Sequence, residues 1–184
     1  IHAGYDELLA LRELVLSAGT PVDEIITSGT PALLHAVNYA PLRDLKGTVH
    51  RVSPGTVVFH DQRSEEENPG LDLLPAATVL TRVVSHPTEG IATCDAGSKA
   101  VAAEAGDPVA LVLGHPDWEA TPPNEEHLSI RIPGELPPRG TELLLVPRHV
   151  CPTVNLAERA VLLEGQALKD VVDVAARAHE VLVD

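Results

Sequence analysis

The strongest constraint on this fold is a change of texture along the chain near Thr48. Before it, helical and extended patterns alternate around a glycine turn. After it, short β-branched stretches are cut repeatedly by Pro and Gly, of which the chain holds 16 and 13. Residues 6–18 carry Leu8, Leu9, Leu11, Leu14 and Val15 close to the helical period, with Gly19 as a stop. Residues 22–27 read as a short buried strand, Ser28-Gly29-Thr30-Pro31 as a tight turn, and residues 31–37 as a second helix with proline in its first turn. Helix, strand, glycine turn, helix is the rhythm of a parallel α/β structure.

Beyond Thr48 the extended stretches are 48–51, 56–60, 78–85, 91–94, 109–113, 127–132 and 141–146. Pro54-Gly55 and the polar run 62–70 interrupt them. Residues 160–174 predict a hairpin turning at Glu164-Gly165, because Val171, Val172 and Val174 are β-branched. A mainly β portion thus follows an α/β portion, with the boundary between Arg63 and Ala76. We place the domains at 1–68 and 69–184. Tyr5, Tyr39, Phe59 and Trp118 are the only aromatic residues, so the core must be aliphatic and base-stacking platforms are absent.

Charge narrows the partners. With 27 acidic against 13 basic residues the formal net charge is −14, a field that repels phosphate backbones and anionic lipid. Neither nucleic acid nor membrane is an expected partner, and no apolar run approaches the roughly 20 residues of a membrane span. Two cysteines, Cys94 and Cys151, do not make a disulfide framework, which suggests a reduced, cytoplasmic setting. The chain begins at Ile1 and contains no methionine, so we expect a part of a longer protein.

Several constellations could carry chemistry. His149-Val150-Cys151 follows the apolar stretch Leu143-Leu144-Leu145-Val146. On an extended chain residues two apart share a face, so an imidazole and a thiolate could hold one ion, and that donor pair suits zinc. On spacing alone, a strand-end histidine beside a structural cysteine stays open as the commoner alternative. Ser28-Gly29-Thr30, between a strand and a helix, offers hydroxyls and backbone N–H groups to a phosphate; an ordinary βα turn is the alternative. Glu125-Glu126-His127 could relay protons or be a solvated acidic loop. Asp95-Ala96-Gly97-Ser98-Lys99 invites a Ser–Lys reading, but neighbours on a strand point apart. His60-Asp61, His86 and His115 read as surface or capping histidines.

Together these segments resemble the D-serine dehydratase/D-threonine aldolase family of pyridoxal-phosphate enzymes. Pro147-Arg148-His149-Val150-Cys151-Pro152-Thr153-Val154-Asn155 is similar to its metal-binding signature, and Ser28-Gly29-Thr30-Pro31 to its cofactor-phosphate turn. The run Ser53-Pro54-Gly55-Thr56-Val57-Val58-Phe59-His60-Asp61 resembles the passage leaving the barrel. Asp95 to Ala100 and Glu125 to His127 fall between these in the family's order. The resemblance implies an alanine-racemase-like β/α barrel, of which only the last units are present, followed by a mainly β C-terminal domain, usually as a homodimer. It implies pyridoxal phosphate at Ser28, Gly29 and Thr30, and zinc, with manganese as the alternative, at His149 and Cys151. The implied substrate is a small D-3-hydroxy amino acid. The family's Schiff-base lysine has no counterpart among Lys46, Lys99 and Lys169 and is expected upstream of Ile1, which leaves no catalytic residue in this stretch and predicts that it is inactive alone. Cysteine as second ligand goes with the dehydratases, whereas aldolases tend to carry aspartate there. A non-catalytic module is the competing expectation: either a dimerisation β module or a closed structural zinc site, which would recruit Cys94 and His127.

Overall fold

The computed structural model describes residues 1–177, which divide into two units: Ile1–Val58 with Ser64–Leu73, and Phe59–Arg63 with the chain from Leu74 onward. In the first unit, helix α1 (His2–Ser17) precedes strand β1 (Glu24–Thr27). The helix stops as its composition predicts. Gly19 sits at φ +82, where a side chain would be strained, and its N–H reaches the Leu16 carbonyl at 2.9 Å. After β1 come a short 3-10 turn (Thr30–Ala32) and helices α2 (Leu33–Asn38) and α3 (Ala40–Arg43). Strand β2 (Val49–Val52) then pairs with β1 in parallel, Glu24 opposite Val49 and Thr27 opposite Val52. Arg12 ties the helix to these strands: its Nε donates to Thr48 Oγ1 at 2.8 Å, and that hydroxyl donates to the Val22 carbonyl at 2.6 Å. Tyr5, Ala36 and Leu42 form the small core.

The second unit is built on a closed six-stranded antiparallel barrel. Its strands are β3 (Val79–Thr88), β4 (Ile91–Cys94), β5 (Ala110–Val112), β6 (Glu119–Ala120), β7 (Leu128–Arg131) and β8 (Glu142–Pro147). They close in the order β3-β4-β7-β6-β5-β8, so none is left as an edge. Burial alternates along β4, β5 and β7, as a barrel with a packed interior requires. The register explains how a barrel poor in aromatics fills its interior. Ile130 lies opposite Ala92 on one side and Ala120 on the other, and Leu128 lies opposite Cys94. Each large side chain faces a small one, and all five are buried in one cluster with Val83, Val112 and Leu145.

The residues after the barrel form helix α5 (Val150–Leu156) and then a hairpin, β9 (Arg159–Glu164) with β10 (Ala167–Asp173), as the β-branched run predicts. Helix α4 (Gln62–Glu67) lies where the chain passes between units. Two expectations fail. Residues 56–60 are not extended: Thr56–Val58 form a 3-10 turn, the Val58 N–H bonds the Gly55 carbonyl at 3.1 Å, and His60 adopts φ +59. The turn set by Pro54-Gly55 outweighs β propensity, which needs a partner strand to count. The second failure concerns His149 and Cys151, which are not on a strand end. Strand β8 stops at Pro147, and Pro152 sits in the first turn of a helix, a place that suits it.

Candidate metal centre and cofactor turn

His149 is the residue before helix α5, with extended backbone (φ −130, ψ 112), and Cys151 is the second residue inside it. No side chain within the helix caps this start. The cap comes from far away in sequence. Asp61, 1% exposed, accepts the Val150 N–H at 2.9 Å, fixing the residue between the two proposed ligands. The strip carrying Asp61 is stitched to the same unit by the Arg63 N–H to the Arg148 carbonyl at 3.0 Å and by the Ala76 N–H to the Phe59 carbonyl at 2.7 Å. Within the helix, the Thr153 hydroxyl donates back to the His149 carbonyl at 2.9 Å.

The imidazole of His149 is held as well. Its Nδ1 lies 2.6 Å from Glu104 Oε1. Cys151 is exposed, yet partial burial pushes its thiol up from the ordinary value, and the negative charges of Asp61 and Glu104 push the same way. An environment that resists a lone thiolate is one where a divalent cation is welcome, since the cation offsets the charge that the carboxylates and thiolate add together. One imidazole nitrogen and one thiolate, with carboxylates behind them, fit a zinc-type ion that takes its remaining ligands from water or substrate.

Cys94 is a different kind of cysteine. It is wholly buried in the barrel, where burial and then the charge of Asp95 push its thiol up to about 11. His127 is exposed on a turn. Among the described residues no group of three or more His, Cys, Asp or Glu gathers to hold a metal, around Cys94 and His127 or around His149 and Cys151.

Two other motifs do come together. The Ser98 N–H donates to the Asn124 carbonyl at 2.8 Å, and Lys99 Nζ meets Glu125 Oε1 at 2.8 Å and Glu126 Oε1 at 2.6 Å. The backbones approach so closely that a Cβ on Gly97 would stand 2.3 Å from the Glu125 carbonyl oxygen. The two glutamates, Glu125 first, hold the Lys99 ammonium above its usual value, so this lysine is poorly suited to nucleophilic attack. Asn124 Oδ1 caps the turn by accepting the N–H groups of Glu126 and His127.

Ser28, Gly29 and Thr30 lie in the first unit, between β1 and the 3-10 turn. Ser28 adopts φ +59, and its hydroxyl is 2.5 Å from the Tyr5 hydroxyl. Asn68 Nδ2 donates to the carbonyls of Thr30 and Pro31, both at 3.1 Å. The Thr30 hydroxyl is buried and makes no hydrogen bond among the described residues. An unpaired hydroxyl in such a turn is a donor that a phosphate oxygen would satisfy, so the turn fits the phosphate of pyridoxal phosphate. Sequence reasoning singled out the turn and the His149–Cys151 motif but gave no sign of Asp61 as a cap or of the Glu104 contact. Asp61 stood inside a motif already singled out; Glu104 carried no local signal.

Comparison with known proteins fits this architecture. The family described as "Putative serine dehydratase domain" matches residues 76–163. A D-threonine aldolase of Arthrobacter sp is 32% identical over 181 residues, covering 96% of this chain and 44% of the aldolase. The D-threonine aldolase of Filomicrobium marinum superposes with a TM-score of 0.76 at 22% identity, over 90% of this chain and 44% of that one. The D-threo-3-hydroxyaspartate dehydratase of Delftia sp. HT23 gives 0.66 at 24%, over 88% and 47%. That dehydratase is also solved with a histidine replaced by alanine and, two positions further on, with a cysteine replaced by alanine in a metal-free form. An alanine-racemase-like protein of Idiomarina loihiensis shares the fold, with a TM-score of 0.60 at 16% identity over 82% of this chain and 43% of that one. The chain is similar to the D-serine dehydratase/D-threonine aldolase family and has an alanine-racemase-like fold. It spans a little under half the length of the aldolase it matches.

Proposed function

We propose that this chain supplies the metal pair and the cofactor-phosphate turn of a pyridoxal-phosphate- and zinc-dependent lyase acting on small D-3-hydroxy amino acids, most closely a D-serine dehydratase. The observation that carries the reading is His149 and Cys151 at the start of α5, with Asp61 fastening the backbone between them. Supporting it, the related dehydratase has been studied through alanine replacements of a histidine and a cysteine with the same spacing, the latter metal-free. Pyridoxal phosphate supplies an electron sink for the substrate's α-carbon, and the metal a Lewis acid for its β-hydroxyl. The chain's own residues orient these groups. His149 and Cys151 would hold the ion while leaving positions open, and Ser28, Gly29 and Thr30 would grip the phosphate. The lysine that carries the cofactor is proposed to lie upstream of Ile1, so the stretch from Ile1 to Asp184 is inactive alone.

The test is a product assay on the full-length protein. With D-serine it is expected to release pyruvate and ammonia. Cleavage of D-threonine to glycine and acetaldehyde would instead favour the aldolase, the second reading, which the sequence identity to an aldolase recommends. Turnover of neither substrate would count against both.

A further inference from the structure

We propose that Glu104 is a positioning residue of the metal pair, holding His149 in the tautomer that presents Nε2 to the ion. The proposal rests on the reading of His149 and Cys151 as ligands and adds to it a residue that has no signature in the sequence. The chemistry of the contact is one-sided. A carboxylate is an acceptor, so the 2.6 Å contact between Glu104 Oε1 and His149 Nδ1 favours the tautomer in which the ring donates from Nδ1. A neutral imidazole has one donor and one acceptor nitrogen, so a proton held at Nδ1 leaves the Nε2 lone pair bare. Metal-bound histidines are commonly oriented in this way.

An exposed ion pair would deserve little weight by itself, because two mobile side chains gain little from meeting at a surface. Glu104 is half exposed, but the loop carrying it is anchored on both sides. Before it, the Ala102 N–H donates to Thr153 Oγ1 at 3.2 Å; after it, the Ala105 carbonyl accepts from Arg148 Nε at 3.0 Å. Thr153 is the same residue whose hydroxyl reaches the His149 carbonyl at 2.9 Å. The loop is therefore fastened to the residue preceding His149 and to the helix turn following it, with the Glu104 carboxylate between. That arrangement positions a ring.

The experiment uses the full-length protein, freed of metal and titrated with zinc, with Glu104→Ala, Glu104→Gln and Cys151→Ala beside the parent. Glu104→Ala is expected to weaken zinc affinity about 10- to 100-fold. Glu104→Gln keeps an acceptor at the same place and should recover part of that loss. Ring nitrogen-15 shifts of His149 in the metal-free protein should report the proton on Nδ1 in the parent and a mixture of tautomers in Glu104→Ala. The unfolding midpoint of the metal-free protein should stay unchanged, separating positioning from a folding defect. Parental zinc affinity in Glu104→Ala, with Cys151→Ala binding no zinc, overturns the role of Glu104 and leaves the ligand pair standing. Zinc retained by Cys151→Ala overturns the ligand reading itself. A parental His149 charged on both nitrogens at neutral pH would also overturn the proposal, making the contact a plain ion pair.

Discussion

The two units solve the burial problem in different ways. The barrel closes on itself and buries Ile130, Leu128, Leu145 and Val83 against small partners. The first unit has two parallel strands and a core of Tyr5, Ala36 and Leu42, and it leaves Leu11, Leu14, Ile26 and Val49 more than half exposed. Parallel strands in known folds are covered on both faces, so this unit carries uncovered apolar surface; the barrel also exposes apolar side chains, among them Leu80 and Leu113, but has a packed interior beneath them. The difference teaches where stability and function divide. The closed barrel makes a rigid frame for the His–Cys pair, and the open α/β unit offers the turn that fits a phosphate.

Truncation should expose the contrast most sharply. Ile130→Ala, which empties the centre of the barrel between Ala92 and Ala120, is expected to cost about 3 kcal/mol by denaturant unfolding. Leu14→Ala, at an exposed helix position, should stay within about 0.5 kcal/mol. Equal losses would erase the distinction. A smaller effect is expected from Gly97→Ala, about 2 kcal/mol, because the new Cβ meets the backbone of Glu125 rather than a side chain that can swing away.

The two cysteines sharpen the comparison within the barrel unit. In the metal-free folded protein a thiol reagent should label Cys151 and leave Cys94 untouched until unfolding. Cys94 should also imprint a pH dependence. Its folded value, about 11, stands above the ordinary 9.0, so burial of the neutral thiol stabilises the fold fully below about pH 9. That contribution is lost as pH rises through 11, because the unfolded chain gives up the proton first. The part of the alkaline decline in stability between pH 9 and 11 that is due to Cys94 should vanish in Cys94→Ala, and an unchanged slope would remove this account of Cys94.

Much of this was legible in the sequence, and the rest was hidden for physical reasons. Strands with strict alternation, such as Ile91–Cys94 and Leu128–Arg131, announced themselves because one face must be apolar. The two-residue strand Glu119–Ala120 did not, since it is too short to show a period. Helix α5 was read as the end of a strand because its cap, Asp61, lies 89 residues earlier, and no local pattern announces a cap from that distance. The proposed ligand pair was visible as a motif. Its support from Glu104 was not, because a lone acidic residue in an acidic chain looks like any other until the fold sets it against an imidazole.

The central claim is that His149 and Cys151 hold a metal, and metal analysis of the purified full-length protein tests it most directly. The parent is expected to carry about one zinc per chain and Cys151→Ala none, with the barrel still folded. Zinc content unchanged by Cys151→Ala would contradict the account.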